Sequence, residues 1–198
     1  MSSTIQPDSL QQRHTNKPAF IVIDMLNEFL DRWPAADRAR LLRSTLELLS
    51  LLRSRQVPVL WVRQEFEADL SDALLEVRQK GIRSTIRGTP GCEIVPELKP
   101  ADGERVLVKK RYSAFFGTDL DQVLAELQPD ALILAGVNTH ACIRTTAIDA
   151  YQRDWPVILA LDCIGSYDKE HHDVSVRYMR DKIARVMTNT QIADALQY

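Results

Sequence analysis

The sequence predicts an α/β fold built on a largely parallel sheet. Short apolar runs rich in β-branched residues alternate with amphipathic stretches of helical periodicity, which is typical of repeated βαβ units. The apolar runs are nearly continuous, as expected for strands that helices cover on both faces. A length of 198 residues fits one domain, and 45% hydrophobic residues suffice for one core. No internal repeat or change of composition marks a second domain.

The apolar runs predict six strands, at residues 19–25, 57–63, 105–108, 131–137, 156–161 and 185–187. The periodic stretches predict helices at residues 37–55, 119–127, 140–153, 169–183 and 190–196. The first helix has the clearest pattern, because Leu42, Leu46, Leu49 and Leu52 recur at steps of three and four. These four leucines are expected to form its packed face.

Two segments are expected to lie outside this regular alternation. Residues 65–103 are interrupted by four glycines and three prolines, so we expect one short helix at 72–80, at most one strand, and a long loop. Such a loop is either a functional rim or a flexible connector. Residues 1–17 are polar and are expected to form a flexible N-terminal arm, which leaves residues 18–198 as the folded domain. The arm lacks the apolar segment of a secretory signal, which favours a cytoplasmic protein.

Charge and composition exclude several classes of partner. The net charge of -2 gives no basic excess for a phosphate backbone, so nucleic acid is not expected as a partner. The longest stretch without a charged residue, 131–143, is shorter than the roughly 18 apolar residues of a membrane span. The three cysteines are widely spaced and form no CxxC pair, which argues against a disulfide framework or a zinc cluster. A small-molecule substrate remains as the expected partner.

Chemically active side chains lie at the ends of three predicted strands. Asp24 ends the first apolar run, Lys109 and Lys110 end the third, and Cys142 follows the fourth at the start of a helix. Ligand crevices of parallel sheets lie beyond the carboxyl ends of the strands. Each residue alone has an ordinary alternative: a cap, a solvated pair of lysines, and a small core residue. Together they supply a base, a cation and a thiol, which is what a cysteine nucleophile requires.

Three segments that contain these residues resemble the signature blocks of the isochorismatase-like cysteine hydrolases. They read AFIVIDMLNEF, VKKRYSAFFGTDLDQVL and LILAGVNTHACIRTTAIDAYQRDWPVILALDC. The resemblance extends from about Pro18 over nearly the whole chain. Within this family, the sequence resembles most the metal-independent branch, which includes N-carbamoylsarcosine amidases and ureido amidohydrolases. It implies a three-layer, Rossmann-like fold with six mostly parallel strands, an Asp-Lys-Cys triad, and a homodimer or homotetramer.

The resemblance also implies a role for individual residues. Asp24 matches the family's base, Lys109 its triad lysine and Cys142 its nucleophile. Lys109 is preferred to Lys110 because the family lysine stands four residues before the serine of the SAF element, here Ser113. The family's cis peptide bond would fall between Val137 and Asn138. The backbone amides of Asn138 and Cys142 would then form an oxyanion hole.

Neither a metal nor another cofactor is expected from these motifs. Metal-dependent relatives carry an Asp-x-His pair after the second strand, where this chain reads VRQEFEADLSD and has no histidine between His14 and His140. No glycine-rich dinucleotide or phosphate motif occurs either. Leu26 replaces a glutamine that is usual in the family. The residues expected to line the substrate pocket are Glu28, Arg111, Tyr112, Phe115 and Thr139.

The resulting expectation is a hydrolase that cleaves a C–N bond of a small amide, carbamoyl or ureido compound through a Cys142 thioester. An isochorismatase-type hydrolase of a vinyl ether is the alternative within enzymes, although those relatives lack the cysteine. A catalytically silent oligomer that keeps the fold is the alternative from another class.

Overall fold

A single parallel sheet forms the centre of the computed structural model, which describes residues 16–180 and 182–196. Its order is β3-β2-β1-β4-β5-β6, and every ladder is parallel. The strands are β1 Ala19–Ile23, β2 Val59–Gln64, β3 Arg105–Lys109, β4 Leu132–Val137, β5 Val157–Gly165 and β6 Arg185–Met187. The sheet confirms the predicted fold class.

Helices cover both faces of this sheet. They are α1 Asn27–Leu30, α2 Ala35–Ser54, α3 Leu75–Lys80, α4 Leu120–Leu127, α5 Arg144–Tyr151, α6 Lys169–Met179 and α7 Asn189–Ala195. Short 3-10 turns occur at Pro90–Cys92 and Pro96–Leu98, and a π-helical turn occupies Thr139–Ile143. Helices α4, α5 and α6 pack on one face, and α2 and α7 pack on the other. None of the described helices combines the length and the apolar character that a membrane crossing requires.

The central strand β1 explains why the sequence reads as a continuous apolar run. All five of its residues are buried, because successive side chains point to opposite faces and both faces are covered. Ile21 and Ile23 belong to the core beneath α4, α5 and α6, whereas Phe20 and Val22 belong to the core beneath α2 and α7. The strand thus joins two apolar layers.

Several element boundaries differ from the sequence-based expectation. Helix α2 begins at Ala35, and Leu46 is 37% exposed; the buried stripe contains Leu41 and Leu48 instead. Helix α6 ends at Met179, because the amides of Lys182 and Ile183 turn back to the carbonyl of that residue. Strand β5 continues to Gly165 after a shift of register against β4. The π-helical turn takes the place of the first residues of the helix predicted at 140–153, and helix α1 was not predicted.

The segment between β2 and β3, residues 65–104, is a packed unit and not an open connector. We call it the β2–β3 loop. Its own small core contains Phe66, Leu70, Ala73 and Ile86, and Phe66 pairs with Ile86 through a single bridge. The predicted helix at 72–80 is the shorter α3, and no strand forms within the described loop. The loop therefore forms an ordered rim beside the ends of β2 and β3.

The chain enters the sheet through a fixed segment. Residues 1–15 of the predicted arm lie outside the described residues, whereas Asn16 and Lys17 are described. The backbone amides of both donate to Asp130 Oδ2, at 2.6 and 3.0 Å. These two residues are therefore held in place, in contrast to the flexible arm expected there.

Candidate active site

The ends of three strands bring Asp24, Lys109 and Cys142 together. Asp24 directly follows β1, Lys109 is the last residue of β3, and Cys142 lies in the π-helical turn after β4. Lys109 Nζ lies 2.7 Å from Asp24 Oδ2 and 3.4 Å from Cys142 Sγ. Asp24 and Lys109 are closed to solvent, and Cys142 is 4% exposed. Three residues far apart in sequence therefore form one buried cluster.

Backbone geometry orients the carboxylate of Asp24. Its φ of +54° is left-handed, a conformation that aspartate tolerates better than most residues. Its backbone amide donates to the carbonyl of Val62 at 2.8 Å, and its Oδ1 accepts the backbone amide of Gln64 at 2.7 Å. Because β2 fixes one carboxylate oxygen, the other is directed at Lys109.

Lys109 uses its ammonium group to join the cluster. The third contact of Nζ is the carbonyl oxygen of Arg111, at 3.1 Å, so the ammonium has three polar neighbours. Burial acts to lower the pKa of Lys109, but the negative charge of Asp24 and the hydrogen bonds to Asp24 and Cys142 outweigh burial, and the pKa is raised overall. Lys109 therefore stays positively charged.

The neighbouring Lys110 points elsewhere, as the alternation of side chains along a strand requires. Its Nζ lies 2.8 Å from Asp72 Oδ2 and donates to the carbonyl of Glu65 at 2.6 Å. Both contacts are to the β2–β3 loop. Lys110 thus anchors the loop, and Lys109 alone of the two reaches the thiol.

The thiol of Cys142 is neutral in the resting protein. Burial is the main cause that raises its pKa, from 9.0 to about 12. Lys109 lowers this pKa, while the charge of Asp24 and a hydrogen bond to its carboxylate raise it. The arrangement therefore holds a protonated thiol next to a carboxylate that can accept the proton and a cation that can stabilise the thiolate.

The turn that carries Cys142 begins at the Val137–Asn138 peptide bond, which is cis, the isomer that the family resemblance implies at this position. The carbonyl of Asn138 accepts the amides of Ala141 and Ile143, at 3.0 and 3.3 Å. Gly136 precedes this turn with a φ of +126°. The expected oxyanion donors, the amides of Asn138 and Cys142, therefore belong to one turn.

Two of the residues expected in the pocket have structural partners that limit such a role. Phe115 is 3% exposed and lies in the core, with the guanidinium of Arg153 4.5 Å from its ring centre. Thr139 is fully buried, and its hydroxyl bonds to Nδ1 of His172 at 2.9 Å. Both residues are thus packed against protein neighbours, and their contact with a substrate stays a prediction.

The other three pocket candidates differ in their contacts. Tyr112 is 48% exposed. Its partial burial is the main cause that raises its pKa, and its electrostatic interaction with Cys142 raises the pKa further. Arg111 donates from Nη1 to the carbonyls of Asp72 and Lys110, at 2.8 and 2.7 Å. Glu28 on α1 forms an ion pair with Arg32 at 2.8 Å and packs against Gly91. Of these, Tyr112 has an electrostatic link to the thiol.

Sequence reasoning missed Gln64 and His172. Gln64 ends β2, so the rule that points to strand ends could have found it; its backbone orients Asp24, and its side chain donates to Thr85 at 3.2 Å. His172 is half-buried, and burial lowers its pKa. The helical pattern of α6 carries no sign of its bond to Thr139.

Other cavities and clusters lie apart from these residues. Two surface cavities of about 240 and 300 Å³ are lined by residues around Pro58 and around Val106, and neither contains a member of the triad. Among residues 16–180 and 182–196, no three histidine, cysteine or acidic side chains are grouped as metal ligands.

Comparison with known proteins places the chain among relatives of the same fold. Residues 18–191 match the profile of the isochorismatase domain. The phenazine biosynthesis protein PhzD of Pseudomonas fluorescens is 31% identical over 195 residues, which cover 94% of this chain and 90% of that protein. An isochorismatase family protein from Desulfovibrio vulgaris is 33% identical, with a TM-score of 0.82 and coverage of 91% and 98% of the two chains.

A third neighbour has a named activity. The N-carbamoylsarcosine amidase of Thermoplasma acidophilum is 30% identical, with a TM-score of 0.75 and coverage of 87% of this chain and 96% of that one. The domain match spans most of the sequence and agrees with the parallel sheet described above. The chain therefore belongs to the isochorismatase family of hydrolases.

Proposed function

We propose that this hydrolase cleaves a C–N bond of a small amide, carbamoyl or ureido compound through a thioester on Cys142. The observation that carries the proposal is the position of Lys109 Nζ, 2.7 Å from the Asp24 carboxylate and 3.4 Å from the Cys142 sulfur. A base, a cation and a thiol in mutual contact are the parts of an activated cysteine nucleophile. The amidase among its structural neighbours supports C–N cleavage.

Acylation begins with the transfer of the thiol proton to Asp24. The thiol needs a base because its pKa is about 12. The thiolate attacks the carbonyl carbon while Lys109 remains charged and balances the anion. The amides of Asn138 and Cys142 donate to the developing oxyanion; the loss of one such donor costs ~2.7 to 4 kcal/mol in comparable sites. Asp24 then returns the proton to the nitrogen, the C–N bond breaks, and ammonia or an amine leaves.

Deacylation uses the same residues in reverse roles. Water attacks the thioester carbon and gives its proton to Asp24, and the C–S bond breaks. The leaving thiolate takes the proton back, so the free acid departs and the resting thiol is restored. This cycle consumes one water and requires no redox change.

A panel of small amides, carbamoyl and ureido compounds tests the proposal, with ammonia release as the readout. Cys142→Ala is expected to lower the rate by at least about a thousandfold, and intact-mass analysis of the wild type is expected to detect an acyl adduct on Cys142. Cys163→Ala is the matched control, since Cys163 is equally buried but lies outside the triad. Full activity in Cys142→Ala, or none in the wild type across the panel, would contradict the proposal.

A second candidate is the hydrolysis of an isochorismate-like vinyl ether, which the description of the matched domain favours. Such cleavage proceeds by protonation and needs no thiolate, so release of pyruvate would survive Cys142→Ala. The same variant therefore separates the two chemistries.

A further inference from the structure

One buried polar atom at the start of the turn that carries Cys142 has no partner. The side-chain oxygen of Asn138, Oδ1, is buried, and no residue in the described part of the chain donates a hydrogen bond to it. A buried acceptor without a donor is costly, and such atoms are few in folded proteins. Asp24 Oδ2 also lacks an aligned hydrogen bond, but the ammonium of Lys109 lies 2.7 Å from it and compensates its charge, whereas Asn138 Oδ1 has no such neighbour among the described contacts.

The backbone of Asn138 lies next to the reacting groups. Ile23 pairs with Gly136 across β1 and β4, so the residues that follow them, Asp24 and the turn at Asn138, begin side by side. Asn138 precedes the π-helical turn with extended backbone angles, and Cys142 lies four residues later. The unpartnered oxygen and the nucleophile therefore belong to one turn at the end of β4.

The missing partner must be a hydrogen-bond donor, because a carboxamide oxygen only accepts. An amide or ureido nitrogen with at least one N–H is such a donor, whereas the oxygen of an ester or a vinyl ether is not. A nitrogen that becomes protonated as it leaves donates more strongly, since hydrogen bonds from charged donors are about twice as strong as neutral ones.

We infer that Asn138 Oδ1 accepts a hydrogen bond from the N–H of the scissile nitrogen and from the ammonia or amine as it leaves. Asn138 is thus a specificity-determining residue that selects N–H-bearing carboxamide or ureido substrates over esters and ethers. The inference rests on the proposed function, and its bond changes are those of the acylation step. The thiolate forms the C–S bond, Asp24 protonates the nitrogen, and the C–N bond breaks while Asn138 holds the departing group.

A pair of substrates with the same acyl group tests this inference. One is the best primary amide from the panel, and the other is its ethyl thioester, which yields the same acyl-enzyme without a nitrogen. Asn138→Leu removes the acceptor at similar volume. It is expected to lower the ratio of kcat/KM for the amide to that for the thioester by about tenfold to a hundredfold. This ratio does not depend on the fraction of enzyme that is folded.

Asn189→Leu is the matched control. It makes the same substitution at an asparagine outside the triad, whose side chain bonds to Cys163 and to the carbonyl of Ser44, and should leave the ratio unchanged. An equal loss for both substrates in Asn138→Leu, or the same fall of the ratio in Asn189→Leu, would overturn the inference, because the effect would then not depend on the N–H group of the substrate. Wild-type amide cleavage that depends on Cys142 would leave the proposed function intact in that case.

Discussion

Gly136 and Ile23 approach each other so closely across β4 and β1 that a β-carbon on Gly136 would lie 1.9 Å from the carbonyl oxygen of Ile23. Ile23 immediately precedes Asp24, and Gly136 stands two residues before Asn138. The contact therefore sets the distance between the base and the turn that carries the nucleophile. Only glycine satisfies both this approach and the φ of +126°.

Gly136→Ala is expected to lower the free energy of unfolding by more than ~3 kcal/mol, because the methyl group meets backbone that cannot move aside. Urea unfolding, monitored by circular dichroism, measures this loss of unfolding free energy. Gly117→Ala is the control, because Gly117 also has a positive φ, +66°, but nothing lies within 4 Å of an added β-carbon. For this variant we expect the free energy of unfolding to fall by only about 1 to 2 kcal/mol. Equal losses in the two variants would mean that backbone angle alone, and not the contact with Ile23, is responsible.

Asp24→Asn is expected to abolish hydrolysis and yet to accelerate alkylation of Cys142. Burial is the main cause of the raised pKa of Cys142, and the charge and hydrogen bond of Asp24 raise it further. A neutral side chain at position 24 therefore leaves more thiolate at a given pH. Rates of reaction with iodoacetamide at pH 8, read by intact mass, test this. Slower alkylation in Asp24→Asn would show that Asp24 already activates the thiol in the free enzyme.

Lys109→Met is expected to destabilise the protein by ~3 to 5 kcal/mol, because it leaves the buried carboxylate of Asp24 without its cation. It should also slow alkylation of Cys142, since Lys109 lowers the pKa of that thiol. Lys110→Met is the control, because its ion pair with Asp72 is partly exposed and should contribute no more than ~1 kcal/mol. Similar losses of unfolding free energy in both variants would contradict the distinct roles of the two lysines.

Stability is expected to fall in alkaline solution because of two buried thiols. Burial raises the pKa of both Cys142 and Cys163 from 9.0 to about 12. A thiol whose pKa is higher in the folded state contributes stability in full below its unfolded pKa, and this contribution is lost as the pH rises from about 9 to 12. Each thiol thus lowers the free energy of unfolding by at most ~1.4 kcal/mol for each unit by which the pH rises.

Urea unfolding at several pH values between 8 and 11 measures this slope. Cys142→Ala and Cys163→Ala should each reduce the slope of unfolding free energy against pH by up to the contribution of one thiol. This expectation does not depend on how either variant changes stability at neutral pH. An unchanged slope in either variant would mean that the thiol in question ionises as readily in the folded protein as in the unfolded one.

Strand ends proved the most informative feature of the sequence for the position of the candidate site. Asp24, Lys109 and Cys142 were selected because polar residues followed apolar runs, and the parallel sheet brings those ends together. The choice between Lys109 and Lys110 needed the family resemblance, since the contact of Lys110 with Asp72 joins residues 38 positions apart. No local pattern encodes a pairing over that distance.

Irregular segments explain most of what the sequence did not reveal. Phe115 lies in a turn where no periodicity specifies the direction of a side chain, and its ring packs beneath Arg153, which lies in the turn after α5. Leu46 satisfies the helical spacing, but the core contacts α2 through Leu41 and Leu48, which shifts the buried stripe. The π-helical turn depends on the geometry between β4 and α5, so the residues around Cys142 resemble an ordinary helix start.

The β2–β3 loop has a further consequence for how this protein could be altered. Its first part, residues 65–86, packs on itself around Phe66 and Ile86, and Lys110 and Arg111 hold it through Asp72 and a few carbonyl oxygens. Val95 and Leu98 of the later part belong instead to the core beneath α2 and α7, and the amide of Val95 donates to the carbonyl of Met25. The first part can therefore be exchanged for another of equal span while the later part stays in the core. Grafting this part between relatives is thus a route to variants that keep the catalytic frame unchanged.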